Sequence, residues 1–210
     1  MRCFGRARVK SSGVNAQPAK APSELPVSPP VAVKLLSAEI AHKSDVGGVV
    51  LGVADVAGMR AAIASIRDEA ARRAPGVSVD RVLVQTMADG LGEALVGLRR
   101  DHYAGAIVVL AAGGVLAELY RDRSVRIAPV DLDTAREMIR EVTAFQALAG
   151  FRNRPRGDLE ALAHAVVAVS ELADAPGPAV LEAEVNPLLI LPEGEGVLAV
   201  DALVRREAPQ

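Results

Sequence analysis

Short runs of Val, Leu and Ile with strand character alternate along this chain with segments of helical period, and that mixture limits the fold more than any other feature. Residues 31–36, 48–53, 81–87, 94–98, 106–111 and 124–128 read as strands. Residues 55–74 place Val56, Met59, Ala62, Ile63 and Ile66 at three- and four-residue steps, with Arg60, Arg67, Asp68, Arg72 and Arg73 mostly on the other side. That spacing predicts an amphipathic helix capped by Asp55 and stopped at Pro75-Gly76. A helix from Asp131 or Asp133 to Val142 and another over 158–173, striped by Leu159, Leu162, Ala163, Val166, Val169 and Leu172, follow further on. Residues 179–190 and 196–204 predict a β-hairpin around PEGEG. Alternating and continuous strand patterns mixed with helices predict an α+β layered domain rather than a doubly wound sheet.

The 210 residues are enough for one or at most two domains with a buried core. Residues 1–29 are rich in Ser, Pro, Ala and Lys and lack periodicity, so they are expected to form a flexible leader before a domain over 30–205 and a tail at 206–210. Lys+Arg total 24 against 26 Asp+Glu, and with no Trp, two Tyr and three Phe there is neither a basic excess for a phosphate backbone nor a set of rings for base stacking. Nucleic-acid binding is not expected. The lone Cys3 excludes an internal disulfide framework and speaks against cysteine-ligated zinc, which fits a reducing cytoplasm. No apolar run reaches the roughly 18 residues of a bilayer span, and MRCFGRARVK is not followed by an apolar signal region. A soluble protein away from the membrane is expected.

Three clusters stand out because polar residues interrupt or end apolar strands. Lys34 sits inside VAVKLLS, where a lysine is either an edge or solvent-face residue, favoured on spacing alone, or a point charge aimed at a phosphate. In His42-Lys43-Ser44-Asp45-Val46-Gly47-Gly48, the glycines permit close approach of backbone to an anion, Lys43 brings charge and His42 can act as nucleophile or acid/base; the same pattern also reads as a plain turn. In Glu182-Ala-Glu184-Val-Asn186-Pro187, Glu184 and Asn186 share one face of a strand, and the hairpin brings Asp201 near them. Oxygen donors of that kind suit Mg²⁺, and equally a solvated acidic face. His102 and His164 read as a turn residue and a surface residue.

Taken in order, PVAVKLLS, HKSDVGGVVLGV, VLVQTMADGLGEALVGLRRD, AGGVLAELYRD, LAGFRNRP, LEAEVNPLLI and LAVDALV resemble the ATP-grasp domain of the ADP-forming acyl-CoA synthetases, the acetate–CoA ligases among them, related to the nucleotide-binding subunit of succinyl-CoA synthetase. The resemblance runs from about residue 30 to 204. It implies an ATP-grasp fold of two α+β lobes, ATP/ADP and Mg²⁺ as cofactors, and a CoA-binding α-type partner in a hetero-oligomer. It implies phosphate contact for Lys34, with Lys43, Gly47 and Gly48 beside it, and adenine contact for the backbone around Gln85 to Met87. Glu93 matches the acidic residue of the G-x-E segment at the nucleotide site. Asn186 and Asp201 match the Mg²⁺ ligands, His42 the phosphate-carrying histidine, and Glu184 the acidic residue that orients that imidazole. The implied reaction is acyl-CoA + ADP + phosphate to acid + CoA + ATP through phosphohistidine, of which this chain supplies the phosphoryl-transfer half.

Departures from the pattern accompany the match. The Pro/Ser-rich leader stands where the family has further first-lobe structure, so that lobe is expected to be incomplete at its N-terminus. His102 and Tyr103-Ala104 replace Pro and Phe in the R-D-P-x-F-G segment, Asn153 stands where the family tends to have Gly, and Ala112 stands for a Gly, where its methyl is expected to crowd a phosphate. These changes motivate an alternative, a catalytically weak ATP-grasp module that regulates or scaffolds a CoA-binding partner. A ligase of other specificity is a third reading, for which the HKSDVGG loop has no use.

Overall fold

The computed structural model describes residues 9–11, 14–18, 28–37, 39–40, 43–114 and 122–208. They divide into two compact units, one over 12–88 and one built from 89–210 with the first eleven residues.

In the first unit, β2 (Val14–Pro18), β3 (Val31–Leu36), β4 (Val49–Val53) and β5 (Arg81–Thr86) form an antiparallel sheet in the order β2-β5-β3-β4. Helix α1 (Val56–Arg73) begins where the Asp55 carboxylate accepts the Gly58 N–H at 2.7 Å, the cap expected from sequence. Its buried face, Met59, Ala62, Ile63, Ile66 and Ala70, follows the three- and four-residue spacing and packs over Val31, Val33, Leu35, Val82 and Val84. Each large aliphatic side chain so buried contributes roughly 1.5–3 kcal/mol.

In the second unit, seven strands form one sheet. β1 (Val9–Ser11), β10 (Val197–Ala199), β9 (Val180–Ile190), β6 (Gly92–Asp101), β7 (Gly105–Ala112) and β8 (Arg123–Ile127) lie in that spatial order, with β11 (Ala202–Arg206) also paired to β9. Helices α2 (Leu132–Glu141) and α3 (Leu159–Ser170) cover one face, burying Met138, Ile139, Leu162 and Val166 against Ala94, Val96, Val108 and Leu110. Asp131, not Asp133, caps α2 through the Thr134 N–H. Asp158 caps α3 with one oxygen and holds the Gly194 and Gly196 N–H groups of the PEGEG turn with the other. The helix expected over 158–173 becomes 3-10 beyond Ser170.

Two observations correct the sequence reading. Strands β1 and β2 lie inside the stretch expected to be a flexible leader; both occupy sheet edges, where backbone pairing on one side suffices without a periodic apolar pattern. The return arm of the terminal hairpin is broken into β10 and β11 by Val200-Asp201, and both pieces pair with β9.

Candidate functional site

Lys34 is not the edge residue that spacing favoured. It lies on β3, flanked by β4 and β5, opposite Val49 and Leu83, and only 4% of it is exposed. Alternation turns Val31, Val33 and Leu35 toward α1 and Lys34 to the other face. Ala32 pairs with Gln85 and Lys34 with Leu83, so Lys34 and Gln85 are diagonal neighbours on that face, within reach of long side chains. Gln85 is also buried. Met87, just beyond β5, donates its N–H to the Pro30 carbonyl at 3.0 Å, and its Sδ accepts the Gly52 N–H at 3.1 Å. Of the segment implied to meet adenine, one backbone donor is thus already committed within this unit.

Lys43, Gly47 and Gly48 belong to a tight turn. Ser44–Val46 is a 3-10 turn, and Gly48 donates its N–H to the Lys43 carbonyl at 2.8 Å. His42 lies outside the described residues, as does the stretch 115–121 of the AGGVLAELYRD segment.

In the second unit the register brings Glu184, Asn186 and Asp201 together. Glu184 stands opposite Gly97 on β6 and Leu203 on β11. Asn186, two residues on and on the same face, donates its side-chain Nδ2 to Glu184 Oε1 at 3.2 Å and its backbone N–H to the Asp201 carbonyl at 3.1 Å. Asp201 therefore faces Asn186 across the strands, at the break between β10 and β11. Its carboxylate Oδ1 accepts the Ala202 N–H at 3.0 Å, which fixes one oxygen at the strand gap. Glu182, also in the acidic segment, is tied to Arg205 at 3.4 Å instead.

Two carboxylates and an amide on one face suit Mg²⁺, which keeps several waters and takes one or two carboxylates. Among the described residues no group of three or more His, Cys, Asp and Glu is placed to hold a metal, so a set completed by the Asn186 amide and by water is the one these residues can offer.

Glu93 is the second residue of β6, opposite Leu189, and its carbonyl accepts the Gly113 N–H at 2.7 Å. A Cβ at Gly113 would lie 2.7 Å from the Glu93 Cβ, so the backbones meet there only because residue 113 is glycine. Ala112, by contrast, pairs with Ala94 and packs on the core beneath α2 and α3. The methyl expected to crowd a phosphate faces the core instead, because strand alternation assigns it the face of Val108 and Leu110. His102 and Tyr103 form the exposed tip of the β6–β7 hairpin, and His164 is half-buried on α3, 3.8 Å from Glu160, as a turn residue and a surface residue should be. Two arrangements escaped the sequence. Glu69 and Arg73 of α1 grip the turn after His42, and Asp158 holds the PEGEG turn; neither contact leaves a local signal, since each joins residues far apart in the chain.

Comparison with known proteins is consistent with this geometry. The family model described as the ATP-grasp domain matches residues 13–205. The chain belongs to the ATP-grasp family. This ATP-grasp chain is 36% identical over 173 residues to the acetate–CoA ligase [ADP-forming] I subunit beta of Pyrococcus furiosus, covering 82% of this chain and 73% of that one. It is 38% identical over 169 residues to acetate–CoA ligase [ADP-forming] I of Archaeoglobus fulgidus, covering 80% of this chain but 24% of that protein. The chain therefore spans about a quarter of the one relative and about three quarters of the other. Among solved structures, the dinucleotide-forming acetyl-coenzyme A synthetase 1 of Ca. Korarchaeum cryptofilum in complex with coenzyme A and Mg-AMPPCP, its phosphohistidine segment pointing towards the nucleotide binding site, is similar at TM-score 0.68 and 33% identity, covering 86% of this chain and 78% of that one. The same enzyme with coenzyme A and Ca-AMPCP gives TM-score 0.76 at 31% identity, covering 92% and 86%. No described helix is long and apolar enough to cross a membrane.

Proposed function

We propose that this ATP-grasp chain is the nucleotide-binding, phosphoryl-transfer part of an ADP-forming acyl-CoA synthetase, working with a CoA-binding α-type partner in a hetero-oligomer in the cytoplasm. The observation that carries the reading is the convergence of Glu184, Asn186 and Asp201 on one face of the sheet at the β10–β11 break. Supporting it, the buried Lys34 offers a fixed cation for phosphate, and the relatives of this chain include β subunits of acetate–CoA ligases.

In this mechanism Lys34 neutralises charge on the transferring phosphoryl group, and Gln85 and Met87 border the adenine site. Asp201 and Asn186 would hold Mg²⁺, which when bound with nucleotide offsets the phosphate charge. His42 is the phosphate carrier of this reading and Glu184 its acidic residue, with Lys43 supplying charge next to His42 in the chain; the Gly47 and Gly48 N–H groups are spent within the turn, on the Ser44 and Lys43 carbonyls. The neutral His42 imidazole attacks the γ-phosphorus of ATP; the bond from that phosphorus to the bridging oxygen breaks, and ADP leaves with the electron pair. The phosphoryl group then passes to the acid at the partner's site, giving acyl phosphate for attack by CoA. The protein's share is positioning and electrostatics.

The testing experiment incubates the full chain with Mg²⁺ and γ-labelled ATP, with and without the CoA-binding partner, and looks for acid-labile, base-stable label. Label at His42, lost in His42→Ala while nucleotide binding persists, is the expected result. Undiminished label in His42→Ala removes the carrier role. Absence of label from folded protein in both arms favours the regulatory module, although the Ala112 change no longer argues for it.

A further inference from the structure

The sheet of the second unit ends on β8, a strand that pairs with β7 alone among the described residues. It matches β7 residue for residue, from Arg123 opposite Ala111 to Ile127 opposite Ile107, with no register shift. Ala128 donates its N–H to the Ala106 carbonyl at 2.9 Å, and Ala112 donates its N–H to the Asp122 carbonyl at 3.3 Å. The even-numbered residues of this strand therefore spend their backbone groups on β7, and Arg123, Val125 and Ile127 turn theirs outward along the edge. Such an edge invites a further strand unless it is blunted. The edge strand β4 of the other unit is blunted: its pairing with β3 shifts register, Gly52 has φ +72°, and the Gly52 N–H is taken by Met87 Sδ. β8 has an unbroken register and neither glycine nor proline; its Val125 carbonyl accepts Arg126 Nη1 at 3.0 Å.

The side chains agree with the backbone. Ser124 is buried on the side of α2, so alternation turns Val125 and Ile127 to the other face, where they are 42% and 68% exposed beside the half-buried Val109 and Ile107 of β7. Two β-branched residues open to water at a regular edge are what a sheet avoids when nothing covers it. On the helix side, Glu141 at the end of α2 accepts the Ser124 hydroxyl at 2.6 Å and also pairs with the Arg126 guanidinium.

We propose that two copies of this chain join β8 to β8, antiparallel, about a two-fold axis at Val125, so that two sheets become one. The strand is complementary to itself in this register. All five residues overlap, and the outward backbone groups of Arg123, Val125 and Ile127 meet those of Ile127, Val125 and Arg123 in the second copy. The Val125 N–H of the second copy takes the place of Arg126 at the Val125 carbonyl. On the open face Val125 packs on Val125, and the aliphatic stem of Arg123 covers Ile127. On the helix side Arg126 falls opposite Ser124 of the second copy, within reach of the Glu141 that this Ser124 holds, so an ion pair within one chain becomes a crossed pair between two. An axis at Arg126 would set two guanidiniums opposite each other, and an axis at Ser124 would carry Ile127 past the end of the facing strand. Because the contact is the same patch on both copies, it closes at a dimer. It uses no residue of the proposed phosphoryl-transfer machinery and is tested apart from that reading.

Sedimentation velocity of the full chain alone, over about a hundredfold range of concentration, is expected to show monomer giving way to dimer. Val125→Lys and Ile127→Lys change exposed side chains, and each is expected to weaken the dimer at least about tenfold with an unchanged far-UV spectrum; the first opposes two lysines, the second a lysine and Arg123. Disulfide trapping reads the register in a chain whose one cysteine, Cys3, is replaced by Ser. Residues opposite each other at a hydrogen-bonded pair lie about 5.5 Å apart between Cα atoms, a span that a disulfide bridges. Val125→Cys is therefore expected to cross-link at least about tenfold faster than Ile127→Cys, whose thiols stand four residues out of register. A monomer at every concentration, equal cross-linking at the two positions, or lysine variants that dimerise as the wild type does would each overturn the proposal. So would a chain that is monomeric alone, binds the CoA-binding partner and loses it in Val125→Lys, an outcome that gives the edge to that partner instead.

Discussion

The two units hold their polar residues in opposite ways. In the 12–88 unit Lys34 and Gln85 are 4% and 2% exposed on the middle strands of a small sheet, while in the other unit Asn186 is exposed and Glu184 and Asp201 are half-buried at a break between strands. A buried ammonium is costly unless it is matched, and once matched it is held in one place. Acidic groups open to water can exchange a hydrated cation that gives up its shell reluctantly. One unit thus holds its polar side chains buried and fixed, and the other leaves its acidic and amide groups open to water.

Lys34→Met breaks the comparison most severely. It keeps an unbranched side chain of similar length while removing the charge, so titration with Mg-ATP is expected to show a loss of about hundredfold in affinity from a chain whose far-UV spectrum is unchanged. Wild-type affinity would return Lys34 to a purely structural role. Asp201→Asn and Asn186→Ala act on the open side: each is expected to weaken nucleotide binding in Mg²⁺ by at least the about tenfold that loss of an outer partner costs a metal site, with no change in EDTA. Wild-type affinity for nucleotide in Mg²⁺ in both variants would remove the metal assignment.

Acid gives the smallest effect and sharpens the contrast between units. Among the described residues the depressed carboxyl pKa values fall in the second unit: Asp101 is lowered by the Ala104 and Tyr103 N–H groups, Asp131 by the Thr134 N–H, Glu141 by Arg126 and then Ser124, and Glu160 by Arg136. A carboxyl held below its unfolded value, 3.8 for Asp and 4.5 for Glu, contributes stability that is present above that value and lost as pH falls through the folded one. These groups are at the surface, so water screens the gain. Amide exchange followed downward from pH 5 is expected to show the second unit loosening before the 12–88 unit; simultaneous loosening would refute it.

Much of the fold was legible because its signals are local. The Asp55 cap, the stripe of Met59, Ile63 and Ile66, and the Glu184–Asn186 alternation each concern residues a few positions apart, where helix and strand geometry fix the outcome. The edge strands β1 and β2 were not legible, since pairing at an edge asks for backbone groups and not for a side-chain pattern. Lys34 was misread for a related reason. A lysine within an apolar run looks like an edge residue until the order β5-β3-β4 places a strand on each side of it.

The sequence by itself determined the inner strands, the helices, the Asp55 cap and the motifs in family order, because short-range sterics and periodicity decide those. Only the tertiary structure decided that Asp201 faces Asn186, that Ala112 looks into the core and that Arg73 grips the Asp45 carbonyl. Each of those depends on register or on contact between distant segments, and a one-residue change of register would turn every side chain on a strand to its other face.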